Sequence, residues 1–156
     1  MKVAEALALR ADATRRVEQL RTRIVANARY QEGEEPSEDA QALLTEAGEV
    51  LDQLEGLIAR INRTNSAARM GEEGTVTDAL ARRDILRTRH SVLSAAADAA
   101  AGTSQYGAVR QLRSELKMLA ALPVAQLRSR ADVVARELRE LDVRIQQANW
   151  EIDLAD

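Results

Sequence analysis

The chain contains no cysteine and no phenylalanine, and only two tyrosines, one tryptophan and one histidine among 156 residues. Without cysteine there is no disulfide framework, no thiol nucleophile and no thiolate zinc site. One histidine cannot build a histidine-rich metal centre, so metal chemistry would fall to carboxylates, and neither a metal nor a cofactor is expected. The scarcity of aromatic residues, with 7 glycines and 2 prolines, argues against a β-sandwich, a barrel or a turn-rich chain. No stretch approaches the ~20 apolar residues needed to span a bilayer, so no membrane partner is expected. Glu5 and Arg10 interrupt the apolar run near Met1 well before it reaches signal-peptide length, which predicts no export and a cytoplasmic protein.

Helix formers dominate what is present. Alanine supplies 29 residues and leucine 19, and Leu, Ile and Val together reach 36. With a net charge of only -3 this composition predicts a folded chain, and its length fits one helical domain over residues 1–156. Twenty arginines stand against two lysines, which favours forked hydrogen bonding wherever a cation is buried.

The clearest periodicity runs through Leu127, Ala131, Val134, Leu138, Leu141, Ile145, Ala148 and Ile152, at alternating spacings of four and three. This heptad seam predicts a C-terminal helix with Pro123 in its first turn, where a missing N–H costs nothing. A second seam follows Leu43, Ala47, Val50, Leu54, Leu57 and Ile61, widened by Leu44, Leu51 and Ile58, so its helix should touch more than one neighbour. Ser37 suits its N-cap, with Glu38 and Asp39 in the first turn. Leu9, Ala13, Val17, Leu20, Ile24 and Ala28 mark a helix from about Lys2 to Tyr30. A fourth, from Thr77 as N-cap to about Ala101, carries Ile85, Leu86, Val92, Leu93, Ala96 and Ala100, and Gly102 stops it.

The expected fold is therefore mainly all-α: an elongated antiparallel bundle or coiled coil of about four long helices, each roughly 40 Å at ~1.5 Å per residue. Residues 66–76, with Gly71 and Gly74 around two glutamates, fit a small β-hairpin. Residues 102–122 fit either helix, through Leu112, Leu116 and Leu119, or strand, through Leu116, Met118, Ala120 and Leu122. The linker from Gln31 to Asp39 holds five acids and no base and reads as a solvated loop, with an intersubunit docking arm as the alternative. Alanine-rich seams bury little area per residue, which predicts a homo-oligomer.

No Walker loop, glycine fingerprint, catalytic triad or zinc motif occurs. Glu46, Glu49 and Asp52 are spaced like helical magnesium ligands, but they point away from the Leu43, Val50, Leu54 and Leu57 stripe and so toward water. The informative residues are polar groups within apolar arcs. Arg82 and Arg89, seven apart, share the arc of Ile85, Leu86 and Leu93 and should look inward, with Arg83 and Arg87 on the other side and His90 at the edge. Buried guanidinium groups need partners, and Asp142 beside the C-terminal seam is the preferred one. Asn62, Asn65 and Asn149 can complete the network. The set Asn62, Asn65, Arg82, Arg83, Arg89, His90, Asp142 and Asn149 is thus either a register-fixing network or a site for an anionic small molecule such as a phosphate or nucleotide.

Three segments carry a resemblance: Ile61-Asn62-Arg63-Thr64-Asn65-Ser66; Ala79-Leu80-Ala81-Arg82-Arg83-Asp84 leading to Arg89-His90-Ser91; and Arg139-Glu140-Leu141-Asp142 through Ile145-Gln146 to Asn149-Trp150. Together they resemble an uncharacterised family of small bacterial proteins, some labelled septicolysin. The resemblance covers nearly the whole chain and implies a helical bacterial protein with no established activity and no catalytic residues to transfer. The activity suggested by the label is not carried over, because neither an export signal nor a membrane-inserting segment is seen. The leading expectation is a self-associating, non-enzymatic helical protein, and the alternative is a phosphate- or nucleotide-ligand binder or hydrolase. Nucleic acid ranks third, since a net charge of -3, interspersed acids and few aromatics oppose it.

Overall fold

The computed structural model describes residues 1–103 and 116–155. Four α-helices form there: α1 (Val3–Asn27), α2 (Ala40–Ala67), α3 (Val76–Ala100) and α4 (Val124–Glu151), with a 3₁₀ turn at Gly71–Glu73. The fold is all-α, as composition and periodicity require. None of the helices, over the described residues, is long and apolar enough to cross a membrane. The chain divides into two compact units, Met1–Met70 with Gln146–Asp156, and Gly71–Ile145.

In the first unit α1 and α2 form an antiparallel pair. Arg16 Nε donates to Glu46 Oε1 at 3.0 Å, and Leu9 and Ala13 share a groove with Leu54 and Leu57 one further stretch along. Val3, Ala6, Ile61 and Leu154 make a closed apolar cluster, flanked by Leu7, Leu57 and Ile152. Each large member contributes about 1.5–3 kcal/mol relative to exposure. The chain ends are clasped over this cluster. Val3 N donates to Ile152 O at 3.0 Å and Leu154 N to Met1 O at 2.9 Å, while Lys2 Nζ reaches Glu151 O and Asp153. The Lys2 hydrogen bond holds the Asp153 carboxyl below its ordinary value, because it favours the charged form.

The N-cap of α2 is Asp39 rather than Ser37. Its Oδ1 accepts from Gln41 and Ala42 N–H at 2.9 and 3.2 Å. Glu38, one residue earlier, turns back instead and accepts from Arg23 Nε at 3.1 and 3.0 Å, and its own N–H donates to Asn27 Oδ1. One acid of the Gln31–Asp39 linker is therefore a clamp on α1 rather than part of a solvated run. The Arg23 hydrogen bond lowers the Glu38 carboxyl below its ordinary value and raises the Arg23 guanidinium.

In the second unit Thr75, not Thr77, caps α3, since Asp78 three residues on completes a reciprocal box: Thr75 N donates to Asp78 Oδ2 at 2.8 Å and Asp78 N to Thr75 Oγ1 at 3.2 Å. The hairpin expected at 66–76 does not form. Gly71 and Gly74, at φ +56° and +87°, reverse the chain around a three-residue turn, and Thr75 already belongs to the cap, which leaves no length for paired strands. The described residues contain no strand longer than a single bridging residue. At the other end Gly102, at φ +75°, donates to Ala99 O and Thr103 N to Asp98 O, a left-handed stop as expected.

The α4 seam faces inward: Leu127, Ala131, Val134, Leu141 and Ile145 are buried, and Leu138 and Ala148 half-buried. Pro123 stands just before the helix and its carbonyl accepts from Leu127 N at 3.0 Å. Between the alternatives for 102–122, Leu112 lies outside the described residues. Residues 116–123 are neither helix nor strand, and Met118 and Leu119 are exposed.

Candidate functional site

Helix α3 buries Val76, Ala79, Leu86, Leu93 and Ala97. Inserting Arg83 and His90 gives an unbroken alternation of three and four from 76 to 97, and both are half-buried. The inward face is thus rotated by most of one residue from the arc read off Ile85, Leu86 and Leu93. Ile85 and Val92, assigned to that arc, are 59% and 62% exposed. The expectation that Arg82 and Arg89 look inward is corrected with it, since both are exposed. Arg83, placed outside, is the more enclosed cation.

Asp142 is an arginine partner, but of Arg83 and Arg87. Its Oδ1 lies 3.9 Å from Arg83 Nε and 3.6 Å from Arg87 Nη2. Asp84 lies 3.4 Å from Arg83 Nε and 3.6 Å from Arg87 Nη1. Two cations and two anions alternate, so the cluster is charge-balanced and ties α3 to α4. Such a balanced set holds an incoming anion weakly, because each guanidinium already has a carboxylate to lose.

Arg82 points to a residue that the sequence reading passed over. Glu73, only 11% exposed, accepts from Arg82 Nη1 at 2.7 Å and from Arg144 Nη2 at 2.6 Å. The 3₁₀ turn carries this carboxylate to both helices. Its sequence signal was slight: a glutamate beside two turn glycines reads as solvated, and only the turn geometry aims it inward. Arg82 Nη2 also lies 4.0 Å from Glu137.

Asn62, Asn65 and Asn149 belong to the first unit, and the arginines, His90 and Asp142 to the second. Asn62 is exposed, Asn149 half-buried, and Asn65 Oδ1 is buried without a hydrogen-bond partner. The polar anchor of that unit is Thr64, 4% exposed, which sequence reasoning did not single out. Its Oγ1 donates to Arg60 O and accepts from Ala155 N, both at 2.9 Å, and Arg60 Nε donates to Ala155 O at 2.8 Å. The spacing of Leu57, Ile61 and Thr64 carries that signal, since Thr64 continues the four-and-three alternation.

Of the three spaced acids on α2, Glu46 engages Arg16, whereas Glu49 and Asp52 are exposed. Among the described residues no three histidine or carboxylate side chains are grouped to hold a metal ion. What the described side chains show is ion pairing between helices, of Arg16 with Glu46 and of Arg83 and Arg87 with Asp142.

A family model described as "Family of unknown function (DUF6847)" matches residues 10–154, nearly the whole chain. The chain belongs to this family. The DUF6847 chain is also similar to a solved structure, that of a functionally unknown conserved protein from Corynebacterium diphtheriae. That protein is 38% identical over 99% of both chains, with a TM-score of 0.90. The family placement, with the similar protein of unknown function from a bacterium, bears out the resemblance to an uncharacterised family, and neither supports the septicolysin label. No curated protein matches.

Proposed function

We propose that this DUF6847 protein is a self-associating helical protein of the cytoplasm, working through its helix faces rather than through a catalytic step. The observation that carries the reading is the second edge of α2. Leu44, Leu51 and Ile58 stand at intervals of seven and remain 52%, 49% and 36% exposed. Scattered exposed leucines are ordinary, but three in line on one helix form an apolar stripe of the kind that partner helices cover. Light scattering and sedimentation of the full chain at micromolar concentration test it. Association supports it, and a lone 17.1 kDa species overturns it.

A second reading, binding of a phosphate or nucleotide, is supported by the closeness of Arg82, Arg83, Arg87 and Arg89 on α3. Asp84, Asp142 and Glu73 compete for three of them. On this reading phosphate raises the melting temperature and Arg89→Met abolishes the rise. No cytolytic activity enters either reading.

A further inference from the structure

Two exposed apolar grooves of this chain are opposite in charge. Along α2, Leu51, Leu54 and Ile58 line a groove whose charged lining residues are Asp52 and Glu55. Along α3, Ile85, Val92 and Leu93 line one whose charged lining residues are Arg89 and Arg130. Neither acid of the first nor either arginine of the second makes an ion pair or a side-chain hydrogen bond among the described residues. What distinguishes these four charges is their place, at the edges of two apolar grooves.

The spacings correspond as well. Leu51 and Ile58 are seven apart, as are Ile85 and Val92, and Glu55 follows Leu51 by four as Arg89 follows Ile85. With the apolar pairs of two such helices aligned antiparallel, Leu51 against Val92 and Ile58 against Ile85, Glu55 and Arg89 flank the same side of the seam within one turn of each other. Two copies of either groove paired with themselves would oppose like charges.

We propose that copies of this chain associate by pairing the α2 groove of one copy, along Leu51 and Ile58, with the α3 groove of another, along Ile85 and Val92. The charges select the pairing: Asp52 and Glu55 reject a second α2, and Arg89 and Arg130 reject a second α3. Covering the apolar floor then removes water from around the opposed charges and strengthens their attraction. The assignment rests on the self-association reading and adds to it the two faces involved.

The test uses the full chain and two double variants, Asp52→Arg with Glu55→Arg, and Arg89→Glu with Arg130→Glu. Each variant alone presents two grooves of one sign. Light scattering and sedimentation are expected to show at least about a tenfold weaker association for each. Mixing the two variants restores opposite charges at every contact and is expected to return association to the wild-type range. Helical circular dichroism confirms that each has folded, and if one has not, Asp52→Asn with Glu55→Gln replaces it. That neutral variant is expected to associate more weakly and with a shallower salt dependence than wild type. Association unchanged in both variants, or weakened in each but not recovered on mixing, overturns the groove pairing while leaving self-association standing. A wild-type chain that is monomeric throughout overturns both.

Discussion

Replacing Leu141 with alanine isolates the α4 seam. Leu141 is 1% exposed, beside Asp142 and one turn from Ile145 and Leu138. The substitution removes three carbons from water-free surroundings, worth ~0.8 kcal/mol each in transfer, about 2.5 kcal/mol together. Helices fixed by ion pairs on both sides of the site, Arg87 with Asp142 and Arg144 with Glu73, close only partly over the gap. The residual cavity brings the loss to ~3–4 kcal/mol. For a chain of this size each 1 kcal/mol lowers the melting temperature by about 2–4 °C, so a fall of roughly 10 °C is expected. Leu138→Ala, at a half-buried position, is expected to cost about 2 kcal/mol, and Arg136→Ala on the exposed face less than ~0.5 kcal/mol. Urea and thermal melts of the three variants measure the series. Losses for Leu141→Ala and Arg136→Ala of the same size refute the placement of the seam.

Glu73→Gln keeps the shape of the side chain but removes the charge that Arg82 and Arg144 share. Because both arginines are half-exposed and can rehydrate, the expected loss is ~1–3 kcal/mol in denaturant melts, and no loss refutes the bridging role. Thr64→Val deprives Ala155 N–H of its acceptor and is expected to cost ~1–2 kcal/mol, whereas Thr64→Ser retains most of the stability; equal losses count against the hydroxyl. The Glu38 carboxyl is held below its ordinary value of 4.5 by Arg23, so its stabilising effect is complete above that value and disappears as pH falls through the lower folded one. Glu38→Gln should therefore lower the melting temperature at neutral pH and flatten its decline below pH 4.5, and parallel wild-type and variant curves in thermal melts across pH refute the clamp.

Helix content and the α4 seam follow from the sequence alone, because a three-and-four alternation of Leu127, Ala131, Val134, Leu138, Leu141 and Ile145 admits only one buried stripe on an α-helix. Gly102 as a stop is equally local. Caps proved harder: Ser37, Asp39, Thr75 and Thr77 are all competent, and what selects Asp39 and Thr75 is the engagement of neighbours, Glu38 with Arg23 and Asp78 with Thr75. On α3 the apolar pattern is ambiguous, since Ile85 and Val92 form one stripe with Leu86 and Leu93 while Ala79, Leu86, Leu93 and Ala97 form another about one residue around. The folded chain buries the second, with Arg83 on its inward side and Arg89 exposed. Asp142 was legible as an anion beside a seam, but which arginine meets it depends on that rotation. The inward aim of Glu73 needed tertiary structure, and for Thr64 the four-and-three spacing marks a buried position but not its partner. Their partners Arg144 and Ala155 are 71 and 91 residues away, and hydrogen bonds of that range leave no periodic trace in a sequence.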